Sequence, residues 1–238
     1  MNKNTKKSLI KTSVLSLLFV LSPVVSAQSF SGVIWTVDTS NTPEQDKSGS
    51  GTTPSTSGAT DNRGSYTFKI STSSTTGTQR QEFKYERRDG YNWMSGKFKL
   101  STEYSDFDKI ALAQTHDDKV DSQGVFSIYQ VRKDGDDYVF GVQGDTTEAD
   151  NGYSKFDTVK IELGEEYSIS IKTFTNGIDG SYDVANLYDS SGTRIWQENI
   201  LGGGDVEQYK KVGVYKLSEG NGPVEVTWRS LKFYTGTK

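Results

Sequence analysis

The 238-residue chain has no cysteine. That excludes a disulfide framework and lipid attachment at a lipobox cysteine, so stability has to come from buried apolar surface alone. Histidine occurs once, at His116. No apolar run approaches the roughly 20 residues of a membrane-spanning helix; Val14 to Leu21 is far shorter. No segment longer than two turns carries the apolar period of an amphipathic helix, and no internal repeat is visible. Basic residues are outnumbered, 27 Lys and Arg against 31 Asp and Glu, for a net charge of −4. An acidic balance argues against non-specific nucleic-acid binding but leaves room for a local basic cleft.

At the amino terminus, Lys3, Lys6, Lys7 and Lys11 precede the apolar run, and Val25-Ser26-Ala27 supplies small residues in a cleavage pattern. This reads as an export signal over residues 1–27. Its removal takes away four lysines, leaving 23 basic against 31 acidic residues and a net charge of −8. The remainder, 28–238, suits one domain. A secreted monomer, periplasmic or extracellular and with no membrane contact after cleavage, is expected. Residues 40–65 are dominated by Ser, Thr, Gly, Asp and Pro, which bury too little apolar surface to order themselves. They read as a flexible, solvated loop, with a lid over a cleft as the functional alternative.

From Tyr66 onward the chain is a succession of short alternating segments, among them YTFKIST, WMSGKFKLS, GVFSIYQVR, EYSISIKTF and VEVTWRSLKFY. Period-two patterning, abundant Tyr, Phe, Val, Ile and Thr, and turns such as Asp134-Gly135-Asp136 and Ser190-Ser191-Gly192 predict β-strands. A further strand is expected at Gly32 to Val37. About a dozen strands at regular spacing predict an all-β fold: two packed antiparallel sheets in a concanavalin A-like β-sandwich of jelly-roll type.

Three of these strands carry polar residues two apart, hence on one face. In QRQEFKYER they are Arg80, Glu82 and Lys84, with Phe83 and Tyr85 opposite. In KIALAQTH, Gln114 and His116 continue the face of Ile110 and Leu112. In QYKKVGVYK, Tyr209, Lys211, Gly213 and Tyr215 share a face, with Val212 and Val214 turned to the core. Any one of these is what a solvent-facing strand also shows. Together their residue types suit β-elimination at a uronic acid, in which a base removes the C5 proton, the bond from C4 to the bridging oxygen breaks, and a C4=C5 double bond forms. The substrate carboxylate must be neutralised while charge builds on it, a task for Arg and amide groups. A base and an acid are also needed, and His and Tyr are common choices. With those groups no metal and no cofactor are required.

Arg80-Gln81-Glu82-Phe83-Lys84 resembles the R-[ST]-E-[LV]-R strand of the alginate lyases of polysaccharide lyase family 7. Gln114-Thr115-His116 resembles their Q-[IV]-H strand, and Tyr209 to Tyr215 their Y-F-K-A-G-x-Y strand. The motifs occur in the family's order and span most of the domain. The resemblance implies that Arg80 and Gln114 hold the substrate carboxylate, that His116 is the base, and that Tyr215 protonates the leaving oxygen. Where proton and leaving group lie on the same side, it implies that Tyr215 serves as both base and acid. Glu82, Lys84, Tyr209 and Lys211 become supporting or subsite residues. The pattern is broken at Lys84 for Arg, Thr115 for Ile or Val, Lys210 for Phe, Val212 for Ala, and Lys216-Leu217 for Asn-Gln.

Of the four tryptophans, Trp35, Trp93, Trp196 and Trp228, at least half are expected in the core. Tyr91 and Trp93, which follow the first motif, are candidate subsite residues. The acids at Asp117, Asp118 and Asp121 and at Asp134 to Asp137 lack EF-hand spacing and read as turn chemistry. The expected partner is an anionic polysaccharide, alginate first, with glucuronan or ulvan as alternatives. A non-catalytic carbohydrate-binding protein is a further reading, while a retaining glucanase would need an E-x-D-x-E-like strand that is absent.

Overall fold

Alternation along the chain becomes strands wherever every second side chain finds an apolar layer to enter. A computed structural model describes residues 30–40, 43–48, 55–57, 65–70, 79–86, 90–117, 125–144, 154–155, 158–175, 181–202, 208–217 and 223–238; the expected export signal lies outside them. Among the described residues are β1 (Ile34–Val37), β2 (Glu44–Ser48), β3 (Ser55–Ser57), β4 (Ser65–Ile70), β5 (Gln79–Lys84), β6 (Tyr91–Ser105), β7 (Lys109–Asp117) and β8 (Val125–Asp134). They continue with β9 (Asp137–Gly144), β10 (Ser154–Lys155), β11 (Val159–Ile161), β12 (Glu166–Thr175), β13 (Ser181–Tyr188), β14 (Arg194–Gly202), β15 (Gln208–Lys216) and β16 (Val224–Thr237). Gly32–Lys238 forms one compact unit.

The described strands form two antiparallel sheets of eight. The first runs β14-β13-β12-β6-β16-β4-β3, with β1 also on β16; the second runs β10-β9-β8-β7-β15-β5-β2, with β11 on β9. This is the jelly-roll sandwich that the alternation predicts. Its core is strongly aromatic. Phe68 and Tyr66 of the first sheet meet Phe83 of the second edge-on, both at 5.1 Å, and Trp196 meets Phe140 at the same separation. Full burial of one such side chain stabilises by about 1.5–3 kcal/mol, and the aromatic contacts tie the layers to each other. Trp228 and Trp196 belong to this core, whereas Trp35 and Trp93 are only half-buried.

The segment 40–65 departs from the loop reading. Glu44–Ser48 pairs with β5 as an edge strand of the second sheet, and Ser55–Ser57 pairs with β4 at the edge of the first. Edge pairing is satisfied by backbone hydrogen bonds, so a polar sequence can serve where no apolar face has to be buried. Whether the rest of 40–65 acts as a lid concerns residues outside the described ones. The acids Asp134 to Asp137 close the β8–β9 hairpin, with Gly135 at φ 63° supplying the turn's positive dihedral; Asp118 and Asp121 lie outside the described residues.

Candidate active site

Strands β7, β15 and β5 are remote in sequence and consecutive in the second sheet, with β15 in the middle. Fully buried Val212 and Val214, with Phe83, decide which faces of β15 and β5 turn inward; their alternate neighbours turn outward. The register then sets four rows. Tyr209 is opposite His116, Lys211 stands between Gln114 and Lys84, Gly213 is opposite Glu82, and Tyr215 is opposite Arg80. Arg80, Glu82, Lys84, Gln114, His116, Tyr209, Lys211 and Tyr215 thus share one face.

On β7 the alternation is interrupted. Val212 pairs with Ala113 but Tyr215 with Ala111, so Gly213 and Val214 of β15 stand against Leu112 alone; on the other side, Ala111 pairs with Gln130 and Ala113 with Tyr129, so against β8 Leu112 is the extra residue. Ile110 and Leu112 are therefore core residues, not neighbours of Gln114 on its face as unbroken alternation predicts. The strands also approach closely at Gly213. Its φ is 153°, and a Cβ there would lie 2.3 Å from the Gln81 carbonyl oxygen and 2.7 Å from Glu82 Cα. Only glycine fits at that position.

The side chains on the shared face are ordered by one another. Gln114 Nε2 donates to Glu82 Oε1 at 2.6 Å, a short, charge-assisted bond. The amide oxygen of Gln114 then faces His116, 3.2 Å from Nε2, and since an amide oxygen only accepts, Nε2 is the donor. A neutral imidazole so held carries its basic lone pair on Nδ1. The His116 ring lies parallel to Tyr209 at 4.8 Å, Lys84 Nζ is 4.9 Å from the centre of the Tyr209 ring, and Arg80 Cζ is 4.7 Å from that of Tyr215. Three cations, Arg80, Lys84 and Lys211, share these rows with Glu82, and β2 adds Glu44 to the Lys84 row and Asp46 to the Glu82 row.

These positions narrow one candidate and relocate two others. Glu82 is 1% exposed and its Oε1 accepts from Gln114, which suits the supporting one of the two roles expected for it, supporting or subsite. Tyr91 and Trp93 are not brought to this face at all: they lie on β6 of the first sheet, because the chain crosses the sandwich between β5 and β6. Conversely, Gln130 of β8 occupies the Tyr215 row across Ala111, with its Oε1 buried and accepting no hydrogen bond from the described residues. Its only sequence signal is a polar residue at period two between Ile128 and Arg132.

Directly behind the face is a second polar cluster, wholly inside the sandwich. Asp183 of β13 is completely buried. Its Oδ2 accepts from Thr115 at 2.8 Å and from Ser127 and Tyr129 at 2.6 Å each; its Oδ1 accepts from Thr173 and, at 3.4 Å, from Lys210 Nζ. Lys210 also donates to Thr115 at 2.6 Å and to Thr173. Burial lowers Lys210 from the ordinary lysine range, with the Asp183 charge opposing, and burial followed by that same charge raises the Tyr129 hydroxyl well above its usual range. The cluster joins both sheets through the residues that alternate with Gln114, His116, Tyr209 and Lys211.

No protein-family model matches the chain, and no curated protein matches its sequence. Its fold is shared with solved structures. An endo-β-1,4-glucuronan lyase from the fungus Trichoderma reesei is similar at a TM-score of 0.59 and 12% identity, over 85% of this chain and 94% of that one. Alginate lyase A1-II′, a member of polysaccharide lyase family 7, is similar at a TM-score of 0.55 and 16% identity, over 74% and 81%. An alginate lyase from Alteromonas sp. 272 gives 0.50 and 15%, over 72% and 88%. At these identities the likeness establishes the sandwich fold, and chemistry has to be argued from the site.

Proposed function

We propose that this chain is an exported polysaccharide lyase that cleaves a uronate-containing anionic polysaccharide, alginate first, by β-elimination. The observation that carries the reading is the register that gathers Arg80, Gln114, His116 and Tyr215 from three remote strands onto one face. The likeness to alginate and glucuronan lyases agrees with it. Export is supported by the basic, apolar and small-residue pattern of residues 1–27.

In this reading Arg80 pairs with the substrate carboxylate, and Gln114, held by Glu82, offers its second amide N–H to the same group. Neutralising that carboxylate makes the C5 proton removable. His116 takes the proton on its basic nitrogen, the C5–H electrons form C4=C5, the bond from C4 to the bridging oxygen breaks, and Tyr215 protonates the departing oxygen. Where C5–H and the leaving oxygen lie on the same side, the Tyr215 oxygen, as phenolate, takes the proton and returns it. Lys84, Tyr209 and Lys211 line the rows on which neighbouring sugars lie. Glucuronan is the second reading, favoured by the glucuronan lyase's extended superposition. The test is a panel of polymannuronate, polyguluronate and polyglucuronate followed by ultraviolet absorbance of the unsaturated product. No absorbance rise on any of them overturns the lyase reading.

A further inference from the structure

The outward face of the first sheet carries a groove of about 420 Å³ that the proposed chemistry does not use. Its construction follows from the register of three rows. Lys172, Trp93 and Tyr234 lie side by side in one row, Ser170, Ser95 and Lys232 in the next, and Ser168 and Lys97 in the third. Small hydroxyl residues therefore make the floor, while Trp93 and Tyr234 make one wall and Tyr188 of β13 stands opposite Ser168. The aromatic wall is fixed: Trp93 stacks on Tyr234 at 4.3 Å and 17°, and its indole N–H donates to Ser170 Oγ at 2.9 Å. Lys172 Nζ rests 5.2 Å from the Trp93 ring centre and 5.7 Å from that of Trp35.

Charge and backbone both distinguish this groove. Lys97, Lys172 and Lys232 line it and, among the described residues, no Asp or Glu does, in a chain that is acidic overall. Lys97 is bridged to Glu166 at 3.1 Å outside the lining. Ser230, which also lines it, has a φ of 51° and is the one non-glycine residue of positive φ among the described residues. It sits where the β16 register shifts between Arg229 and Lys232. An L-residue is held in that conformation only when its surroundings require it, and such positions gather at binding sites.

We propose that this groove is a second, non-cleaving binding site for an anionic polysaccharide, separate from the face that carries His116. Ammonium groups pair with uronate carboxylates, the serine floor exchanges hydrogen bonds with sugar hydroxyls, and the aromatic wall packs against the apolar face of a sugar ring. A volume of this size matches what a small-ligand site encloses. The choice of a uronate chain as occupant rests on the proposed function; the cationic, hydroxyl-lined groove itself does not. Bound there, polymer is retained while the opposite sheet acts on it, which raises effective concentration for long chains and not for short ones.

The test uses Tyr215→Phe as the parent, so that polymer survives the measurement, with polymannuronate, polyguluronate and polyglucuronate as probes and a neutral β-glucan as control. Affinity electrophoresis should show Lys172→Ala/Lys232→Ala in that parent binding an anionic probe at least tenfold more weakly, with a shallower salt dependence and unchanged circular dichroism. In the otherwise unaltered chain, the same pair of substitutions should raise KM for polymer while leaving turnover of a uronate trisaccharide unchanged. If no probe is ever cleaved, the lyase reading fails alone, since lysine-dependent binding to an anionic probe still supports the groove. Unchanged affinity in the double variant, equal retention by the neutral glucan, no binding of any probe by the parent, or a sedimenting dimer abolished by the two substitutions in place of glycan binding would each overturn the proposal.

Discussion

Lys210 Nζ and Thr115 Oγ1 lie 2.6 Å apart, so two of the positions at which the chain departs from the family 7 strand patterns touch each other. They are not independent changes. Each supplies a donor to Asp183, whose carboxylate no apolar pair could accommodate at complete burial.

Removing one partner should therefore cost far more than removing both. Lys210→Met leaves a buried carboxylate without its cation and is expected to destabilise by about 3–5 kcal/mol. Asp183→Asn added to it should recover a substantial part. Urea unfolding of the two single variants and the double gives the coupling, and an additive result would mean that the pair does not interact in solution.

His116→Ala and Tyr215→Phe are each expected to lower turnover by about 10²-fold or more with folding intact, the usual scale of a general acid or base. Initial rates of unsaturated-product formation, with thermal unfolding as the control, measure this. Rates equal to the parent in both would remove their assigned roles.

Glu82→Gln distinguishes a positioning residue from a sugar contact. It keeps the shape but replaces an acceptor-only carboxylate with an amide that can either accept from Gln114 or donate to it, so the orientation of Gln114 toward His116 is no longer fixed. A fall in kcat of about tenfold, small beside full general-base loss, with little change in KM is expected. A KM effect alone would put Glu82 back among the subsites.

Gly213→Ala should destabilise by more than about 1 kcal/mol, since the new methyl group meets the β5 backbone at a φ that only glycine adopts easily. Thermal unfolding checks it. A neutral outcome would show that β15 and β5 separate readily at this row.

Alkaline pH offers a different check. Burial, with Tyr91 adding to it, holds the Tyr182 hydroxyl at about 12, and Tyr85 and Tyr129 are raised in the same direction. The folded chain thus keeps protons that the unfolded chain releases near pH 10. These groups contribute fully below pH 10 and lose their contribution as pH rises toward 12. Tyr182→Phe should lose less stability over that interval than the parent, followed by circular dichroism.

The alternation of apolar side chains made the strands and the two-sheet fold legible, because inward packing is what that alternation encodes. It also placed Arg80, Glu82 and Lys84 on one face and Tyr209, Lys211 and Tyr215 on another. What brings those faces together, the β7-β15-β5 order, is set by long-range pairing and could be anticipated only through the resemblance. Three features were not legible. The bulge at Leu112 against β8 moves two apolar residues to the core with no glycine on β7 to announce it. The edge strands β2 and β3 have no apolar face to read. Asp183, in YDVANLYD, looks like any solvated acid, since its five donors come from strands of both sheets.

Strand β2, with its sequence EQDKS, has a further consequence. Without it, β5 would be the rim of the sheet, and the backbone behind Arg80, Glu82 and Lys84 would offer open amide and carbonyl groups to another chain. A rim of charged and amide side chains is a poor template for intermolecular growth, so this strand protects against fibril-like association a protein that has no covalent cross-link to fall back on.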